Sequence, residues 1–318
     1  MDDILNVENL KSYFFTTHGQ VKAVDDVSFN IGRKESMGLA GESACGKSTL
    51  ALSILKMLQQ PGRLVDGKIE LTGTDIAGYS ETKMRKEVRW KRISMVFQGA
   101  MNALNPVYTV GYQLAEPIMY HHKMGKREAM DKSKQYLELV GLSSDIITRY
   151  PHELSGGMKQ RVVIAMALLM SPDLVICDEP TTALDVVVQA QIMNLLKTLK
   201  EELEISTLFI THDLSILAEV VDKLAIMYAG KIVEISDSVK LYREPKHPYT
   251  QRLIGAIPKL HEDIEKLEFI RGTPPNLIDP PSGCRFHPRC PHAMDICKKE
   301  EPKLKEVGPN QFAACHLL

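Results

Sequence analysis

The eight residues GESACGKS, Gly41 to Ser48, constrain this chain more than any other stretch. The run Ser36 to Ala40 before them is short and apolar, a strand signal. After them, Ser48 to Leu58 carries Leu50, Ile54, Leu55 and Leu58 at helical spacing. A strand that feeds a G-x-x-x-x-G-K-[ST] loop opening a helix predicts an α/β chain built around a phosphate-binding loop. Gly41 and Gly46 let the backbone turn and approach phosphate closely, and successive N–H groups at the helix start direct partial positive charge inward. Lys47 supplies a point charge for the β- and γ-phosphates, and Ser48 a hydroxyl for Mg²⁺. Glu42, Ser43, Ala44, Cys45 and the following Thr49 complete the expected nucleotide contacts, with Cys45 at a position the motif leaves variable.

Two further stretches fit that chemistry. LVICDEP ends a buried strand with adjacent carboxylates, Asp178 and Glu179. Neighbours on a strand point to opposite sides, so one acid, Asp178, is expected to hold Mg²⁺ through water while Glu179 meets an attacking water. LSGGMKQR, Leu154 to Arg161, precedes the apolar helix VVIAMALLM. Ser155 is a good N-cap there, and Gly156 and Gly157 bare the first N–H groups of the helix, a second anion-binding helix end in one chain. One nucleotide cannot easily use both.

The rest of the chain reads as follows. From Ile4 to about Val96 short strands and turns are expected, including Gln20 to Ile31. Between Gln98 and Leu154 the pattern turns helical, with helices over Val110 to Met119, Arg127 to Val140 and Ser143 to Tyr150. Asp173 to Asp178 and Thr207 to Thr211 are apolar runs of the kind a parallel sheet buries on both faces. Between them Val188, Ile192, Leu195, Leu196, Leu199 and Leu203 mark the core face of a helix. Leu224 to Tyr228 and Lys231 to Ile235 flank Ala229-Gly230 as a hairpin. Prolines then multiply, and a second unit is expected after about Pro258, giving a main domain over 1–258, with a helical part over about 99–170, and a cysteine-rich module over 259–318.

Composition narrows the function classes. The 318 residues are 44% hydrophobic, enough for a sizeable core. The longest apolar run, Val162 to Met170, falls well short of the roughly 18 to 20 residues that cross a bilayer. The start, MDDILNVENLKSYFF, lacks the features of an export signal, so the chain is expected to stay in the cytosol. A net charge of -1 and a pI near 6.8, without a dense basic tract, do not favour nucleic acid as a partner.

Through these motifs the chain resembles the ATP-binding-cassette ATPases. In that family an LSGGQ-like signature clamps the nucleotide held by the opposite subunit of a dimer; here Met158 stands where Gln is commonest. The resemblance implies a P-loop NTPase with a RecA-like core, an antiparallel β subdomain and a helical signature subdomain, and it assigns further residues. Gln98, in SMVFQ, is similar to the Q-loop glutamine that senses the γ-phosphate and the transport partner and takes part at Mg²⁺. Asp185, in Ala183-Leu184-Asp185, resembles the D-loop, and His212, in FITHD, the switch histidine. Tyr13, in LKSYFF, resembles the aromatic that stacks on adenine, with Phe14 beside it because the register is ambiguous. The implied reaction is ATP hydrolysis, with Glu179 polarising water and Gln98 and His212 binding the transferred phosphate.

QGAMNALNPVYTVGYQLAEP, PGRLVDGKIEL and HPYTQRLIGAIP are similar to ATPase subunits of bacterial dipeptide/oligopeptide importers, whose relatives include nickel importers. Gly99 replaces the Asp often found after the Q-loop glutamine. The resemblance implies two transmembrane permease subunits, a paralogous second ATPase (or a homodimer in isolation), an external solute-binding protein, and a peripheral place on the cytoplasmic face of the cell membrane. A soluble cassette ATPase of repair or translation is the alternative, but tandem cassettes and long coiled-coil insertions are missing from the sequence; a redox protein built on the tail is a third reading.

That tail carries Cys284, Cys290, Cys297 and Cys315 at C-x5-C-x6-C-x17-C spacing. Cytosolic thiols stay reduced, which disfavours disulfides. Zinc knuckles bring cysteines two to four residues apart, about C-x2-4-C, and this set has none. Four thiolates on widely spaced turns suit a 4Fe-4S cluster, and the importers' C-terminal extension, which the tail resembles, is associated with iron-sulfur binding. Zinc stays open because His287, His292 and His316 are close in sequence, and unliganded thiols are the third possibility. A structural staple is the default role, redox sensing the sharper one.

Overall fold

The computed structural model describes residues 3–99, 102–257 and 270–318. In chain order the elements are β1 (Asp3–Thr16), β2 (Gly19–Gly32), β3 (Ser36–Ala40), α1 (Lys47–Ile54), β4 (Gly62–Leu71), β5 (Thr74–Asp75), α2 (Glu81–Lys83), β6 (Ile93–Val96), α3 (Val110–His122), α4 (Lys126–Leu139), α5 (Gly156–Leu168) and β7 (Leu174–Asp178). They continue with α6 (Val186–Leu203), β8 (Ser206–Ile210), α7 (Leu214–Val220), β9 (Lys223–Tyr228), β10 (Lys231–Asp237), α8 (Ser238–Arg243), α9 (Pro248–Gly255), α10 (Asp295–Lys299), β11 (Lys305–Gly308) and β12 (Gln311–Ala313). No helix among the described residues is long and apolar enough to cross a membrane. Two compact units emerge, Met1–Gly78 with Phe209–Leu318, and Tyr79–Leu208.

The first unit contains an antiparallel sheet in the order β2-β1-β4-β5. Instead of short strands, β1 and β2 are each 14 residues long, and register shifts after Val7, Leu10 and Ser12 bend the pair. Such bulges scramble strict alternation, which is why the pattern suggested several shorter strands. Leu5, Leu10, Ile31, Leu50 and Ile54 are fully buried. In the same unit β3 runs parallel to β9, and β9 returns as an antiparallel hairpin with β10 through Ala229 and Gly230, both with positive φ. All five residues of β3 are buried, as a strand covered on both faces requires.

The tail carries two short strands. β12 pairs antiparallel with β10, Ile235 opposite Phe312, and β11 pairs with β12. The boundary expected at Pro258 lies outside the described residues.

The second unit holds the parallel pair β6–β7 and helices α3 to α6. Its helical part matches expectation at α3 and α4, but Ser143–Tyr150 is not an α-helix. Ser144–Thr148 forms a short 3-10 turn and Tyr150 is extended, because the Pro151 ring disfavours helical backbone in the residue before it. Along α6 the expected stripe is buried at Ile192, Leu196 and Leu199 and opens to solvent at Leu203.

Candidate active site

The phosphate loop belongs to the first unit. A Cβ on Gly41 would stand 2.1 Å from the Met227 carbonyl oxygen, and one on Gly46, at φ 110°, 2.0 Å from that of Ala23. Only glycine fits at either place. The helix begins at Lys47, one residue before the expected start, and ends at Ile54 because Lys56 turns left-handed (φ 50°). Lys47 is buried; its Nζ donates to the carbonyls of Gly41 (2.7 Å) and Glu42 (2.9 Å) and lies 3.7 Å from Cys45 Sγ. Ser43 and Ala44 are exposed, and Ser48 and Thr49 half-buried at the first turn, whose N–H groups have no partners within the helix. Cys45 is buried, which raises its thiol pKa, and its carbonyl accepts from Gly230 N–H at 2.8 Å, so it serves the packing of the loop.

Glu42 is held on three sides. Its N–H donates to the Tyr249 hydroxyl (3.0 Å), its carbonyl receives Lys47, and its carboxylate takes both arms of the Arg289 guanidinium at 2.6 and 2.9 Å. Neither Tyr249 nor Arg289 was legible as part of the loop's surroundings, since no local pattern links them to it.

Tyr13 and Phe14 also lie in this unit. The Tyr13 hydroxyl donates to Asp25 at 2.6 Å, and burial with that bond pushes the phenol well above its ordinary range. Burial pushes Asp25 up, but the Tyr13 hydroxyl, Arg285 and Lys231 outweigh it and hold the carboxyl below its usual range. Phe14 has its ring against Gly62, where a Cβ would come within 2.8 Å. His212 is exposed in the turn after β8; there Asp213 N–H donates to Thr211 Oγ1 at 3.0 Å and Asp213 Oδ1 caps Ser215.

In the second unit, β7 ends at the buried Asp178. Burial, with the Asp178 charge beside it, pushes the Cys177 thiol up to about 12, a sign of how dry this strand end is. Glu179 is not on the strand. It turns left-handed at φ 47°, so strand alternation does not set its direction relative to Asp178. Glu179 Oε2 accepts from Gln98 Nε2 at 2.8 Å and from Thr182 Oγ1 at 2.9 Å. Gln98 thus meets Glu179 directly, and Thr182 is a contact that sequence reasoning missed.

Ser155 caps α5 by accepting from Met158 N–H at 3.4 Å. Gly157 is required by packing, since a Cβ would stand 2.8 Å from Val188. Asp185 caps α6, accepting from Val188 N–H at 2.9 Å. Ser155, Gly156, Gly157 and Asp185 share one open cleft of about 420 Å³, with Arg161 along it. Past Asp185, Val186 is 80% exposed, a bare apolar residue at a helix start.

All four tail cysteines are free thiols. Two of them are tied directly, Cys284 N–H donating to the Cys297 carbonyl at 2.8 Å, and Cys315 follows Ala314, whose N–H donates to the Val233 carbonyl. Burial pushes Cys284 up to about 11, with the charges of Cys297, Cys315 and Cys290 adding to it, and Cys290 and Cys315 are raised in the same way. Among the described residues, however, no group of three or more His, Cys, Asp or Glu is arranged to hold a metal ion, which leaves the expected iron-sulfur or zinc site without support from the structure. A ring nitrogen of His287 meets the Cys284 carbonyl at 3.0 Å, and one of His316 the Glu300 carbonyl at 2.9 Å.

Known proteins echo both parts of the chain. The family model described as ABC transporter matches residues 24–182, and that described as oligopeptide/dipeptide transporter, C-terminal region, matches 233–297. The oligopeptide transport ATP-binding protein AppD of Bacillus subtilis (strain 168) is 44% identical, covering 100% of this chain and 97% of AppD. OppD of Escherichia coli (strain K12), also an oligopeptide transport ATP-binding protein, is 45% identical, covering 99% of this chain and 93% of OppD. Among solved structures, the ATP-binding cassette MJ0796, dimeric in a post-hydrolysis state with ADP and Pi, superposes with a TM-score of 0.66 at 25% identity, covering 74% of this chain and 98% of that one. CbiO1 from Clostridium perfringens, part of the ABC transporter complex cbiONQ, gives 0.67 at 29% identity over 77% of this chain and 92% of its own.

Proposed function

We propose residue roles from the premise that this chain belongs to the ABC transporter family, in the group of oligopeptide and dipeptide transport ATP-binding proteins. It is the ATP-hydrolysing subunit that powers peptide import. In the proposed reaction a water oxygen forms a bond to the γ-phosphorus while the bond from that phosphorus to the β,γ-bridging oxygen breaks, leaving ADP and phosphate. Lys47 neutralises β- and γ-phosphate charge, and the N–H groups of the loop and first helical turn fix the phosphates. Glu179 accepts a hydrogen bond from the attacking water, and its fixed contact to Gln98 and Thr182 is the observation that carries this role. His212 and Gln98 bind the transferred phosphate. Ser48, Asp178 and Gln98 would hold Mg²⁺, which would supply positive charge to neutralise the phosphate oxygens; a hydroxyl, a carboxylate and an amide carbonyl are the oxygen donors such a hard cation takes. For adenine, Tyr13 and Phe14 on β1 are the candidate stacking aromatics, with the Tyr13 hydroxyl held by Asp25.

The cleft shared by Ser155, Gly156, Gly157 and Asp185 fits an anion presented by a second ATPase subunit, since a second glycine-bared helix start has no use for the chain's own nucleotide. The assembly we propose has two permease subunits, a paralogous ATPase and an external binding protein, with this chain peripheral on the cytoplasmic face. We read 1–258 as the ATPase domain and 259–318 as its attached module. Co-purification with the permease subunits, and ATPase stimulation by peptide-loaded binding protein but not by nickel, tests this assembly; stimulation by nickel alone would redirect it.

The four cysteines are proposed to bind a 4Fe-4S cluster. Burial, and to a lesser degree the neighbouring cysteines, raises the Cys284, Cys290 and Cys315 thiols, and bound iron would displace the protons they hold. Each thiolate of such a cluster takes a different corner of a cube, so its ligands stand farther apart than those around one ion.

A further inference from the structure

We infer that Arg289 is a positioning residue for the phosphate loop: by clamping and neutralising Glu42, it holds the loop in the shape and at the charge that MgATP requires. The inference rests on the reading that Gly41 to Ser48 binds the phosphates of ATP.

The Glu42 side chain brings a charge of the same sign as phosphate into the loop. A carboxylate in the loop repels phosphate, and at a few ångströms in a partly dry site one unpaired charge is a large perturbation. Arg289 answers it with a two-armed contact, Nη1 to Oε2 at 2.6 Å and Nη2 to Oε1 at 2.9 Å, the planar match that lysine cannot reproduce. The Arg289 side chain is only 6% exposed and that of Glu42 24%, so water screens the pair poorly. Its guanidinium is itself fixed, Nε donating to the Arg271 carbonyl at 2.9 Å and Nη1 to the Tyr228 hydroxyl at 3.3 Å.

The clamp reaches the reacting end of the loop through one residue. The carbonyl of Glu42 is one of the two that receive Lys47 Nζ, and the N–H of Glu42 is held by Tyr249. Behind it the tail is wedged in place: the Phe286 ring packs edge-on against Tyr228 and Tyr249 at centroid distances of 5.2 and 5.4 Å. Arg285, next to Cys284, donates to the Ala229 carbonyl, and the following Gly230 N–H holds Cys45. The cysteine-rich segment therefore grips the loop at two points, with Arg289 adjacent to Cys290.

The test is equilibrium binding of MgATP, and of adenosine as a ligand without phosphate, to the full-length chain. Arg289→Gln should weaken MgATP about tenfold, because Glu42 is left unpaired, and leave adenosine unchanged. Adding Glu42→Gln to Arg289→Gln should restore affinity to within about threefold of wild type, since the uncompensated charge is gone. Arg289→Lys, which keeps the charge but not the two-armed contact, should fall between wild type and Arg289→Gln and guards against a variant that fails to fold. Unchanged MgATP affinity in Arg289→Gln, or a double variant as weak as the single one, would overturn the inference. A wild-type chain that binds no MgATP would instead sink the reading of the loop itself, and the inference with it.

Discussion

Gln98 Nε2 donates to Glu179 Oε2 across 2.8 Å, joining two residues 81 positions apart. The contact fixes the carboxylate just past the end of β7, on a backbone turned left-handed at Glu179, and Thr182 holds the same oxygen from the other side. A carboxylate with one oxygen committed in this way has a defined direction for its second, which is what a water-orienting group needs.

Glu179→Gln keeps the shape and the contact to Thr182 but removes the basic oxygen. MgATP binding should stay near the wild-type value while turnover falls about 100-fold or more. Steady-state phosphate release from the assembled transporter, beside nucleotide retention by the isolated chain, measures both.

Gly46→Ala should lose nucleotide binding and stability together. The new methyl group meets the Ala23 carbonyl and the left-handed backbone disfavours a side chain, a cost of at least about 1–2 kcal/mol before the clash is counted. Thermal unfolding and MgATP titration of the variant test this; an unchanged melting temperature would contradict it.

His247 gives the fold a pH dependence of known sign. The ring caps α9, Nδ1 accepting from Tyr249 N–H at 3.0 Å, and burial lowers its pKa to about 4. Unfolded, the imidazole titrates near 6.5, so the unfolded chain takes up a proton before the folded one does. Stability should be full above about pH 6.5, and up to about 3 kcal/mol should be lost as the pH falls to about 4. His247→Asn retains a capping acceptor and should remove this part of the slope in melting temperature against pH.

Anaerobically purified protein should carry iron and acid-labile sulfide in equal amounts, and Cys297→Ser should lose both. Zinc at one per chain with no iron would contradict the cluster.

The local features of the fold were legible because their causes are local. Ser155 caps α5 through a bond three residues away, and the apolar spacing of Ile192, Leu196 and Leu199 places α6 on its core. The errors have local causes too: Pro151 stops the helix expected before it, and the bulges of β1 hide the length of that strand. What sequence could not reveal depends on distant partners. Glu42 finds Arg289 across 247 positions, and nothing about either residue's neighbours foretells the match. Asp178 and Glu179 were read as neighbours on one strand, but Glu179 lies past its end, and the left-handed turn there is a backbone property no side-chain pattern carries.

The most direct test of the central claim is peptide uptake into proteoliposomes that hold the assembled transporter, with MgATP on the side of the ATPase subunits. The account predicts that a labelled oligopeptide accumulates in step with ATP hydrolysis, and that Lys47→Ala in this chain abolishes the accumulation. Uptake that continues undiminished with Lys47→Ala, or ATP hydrolysis that never responds to peptide, would contradict it.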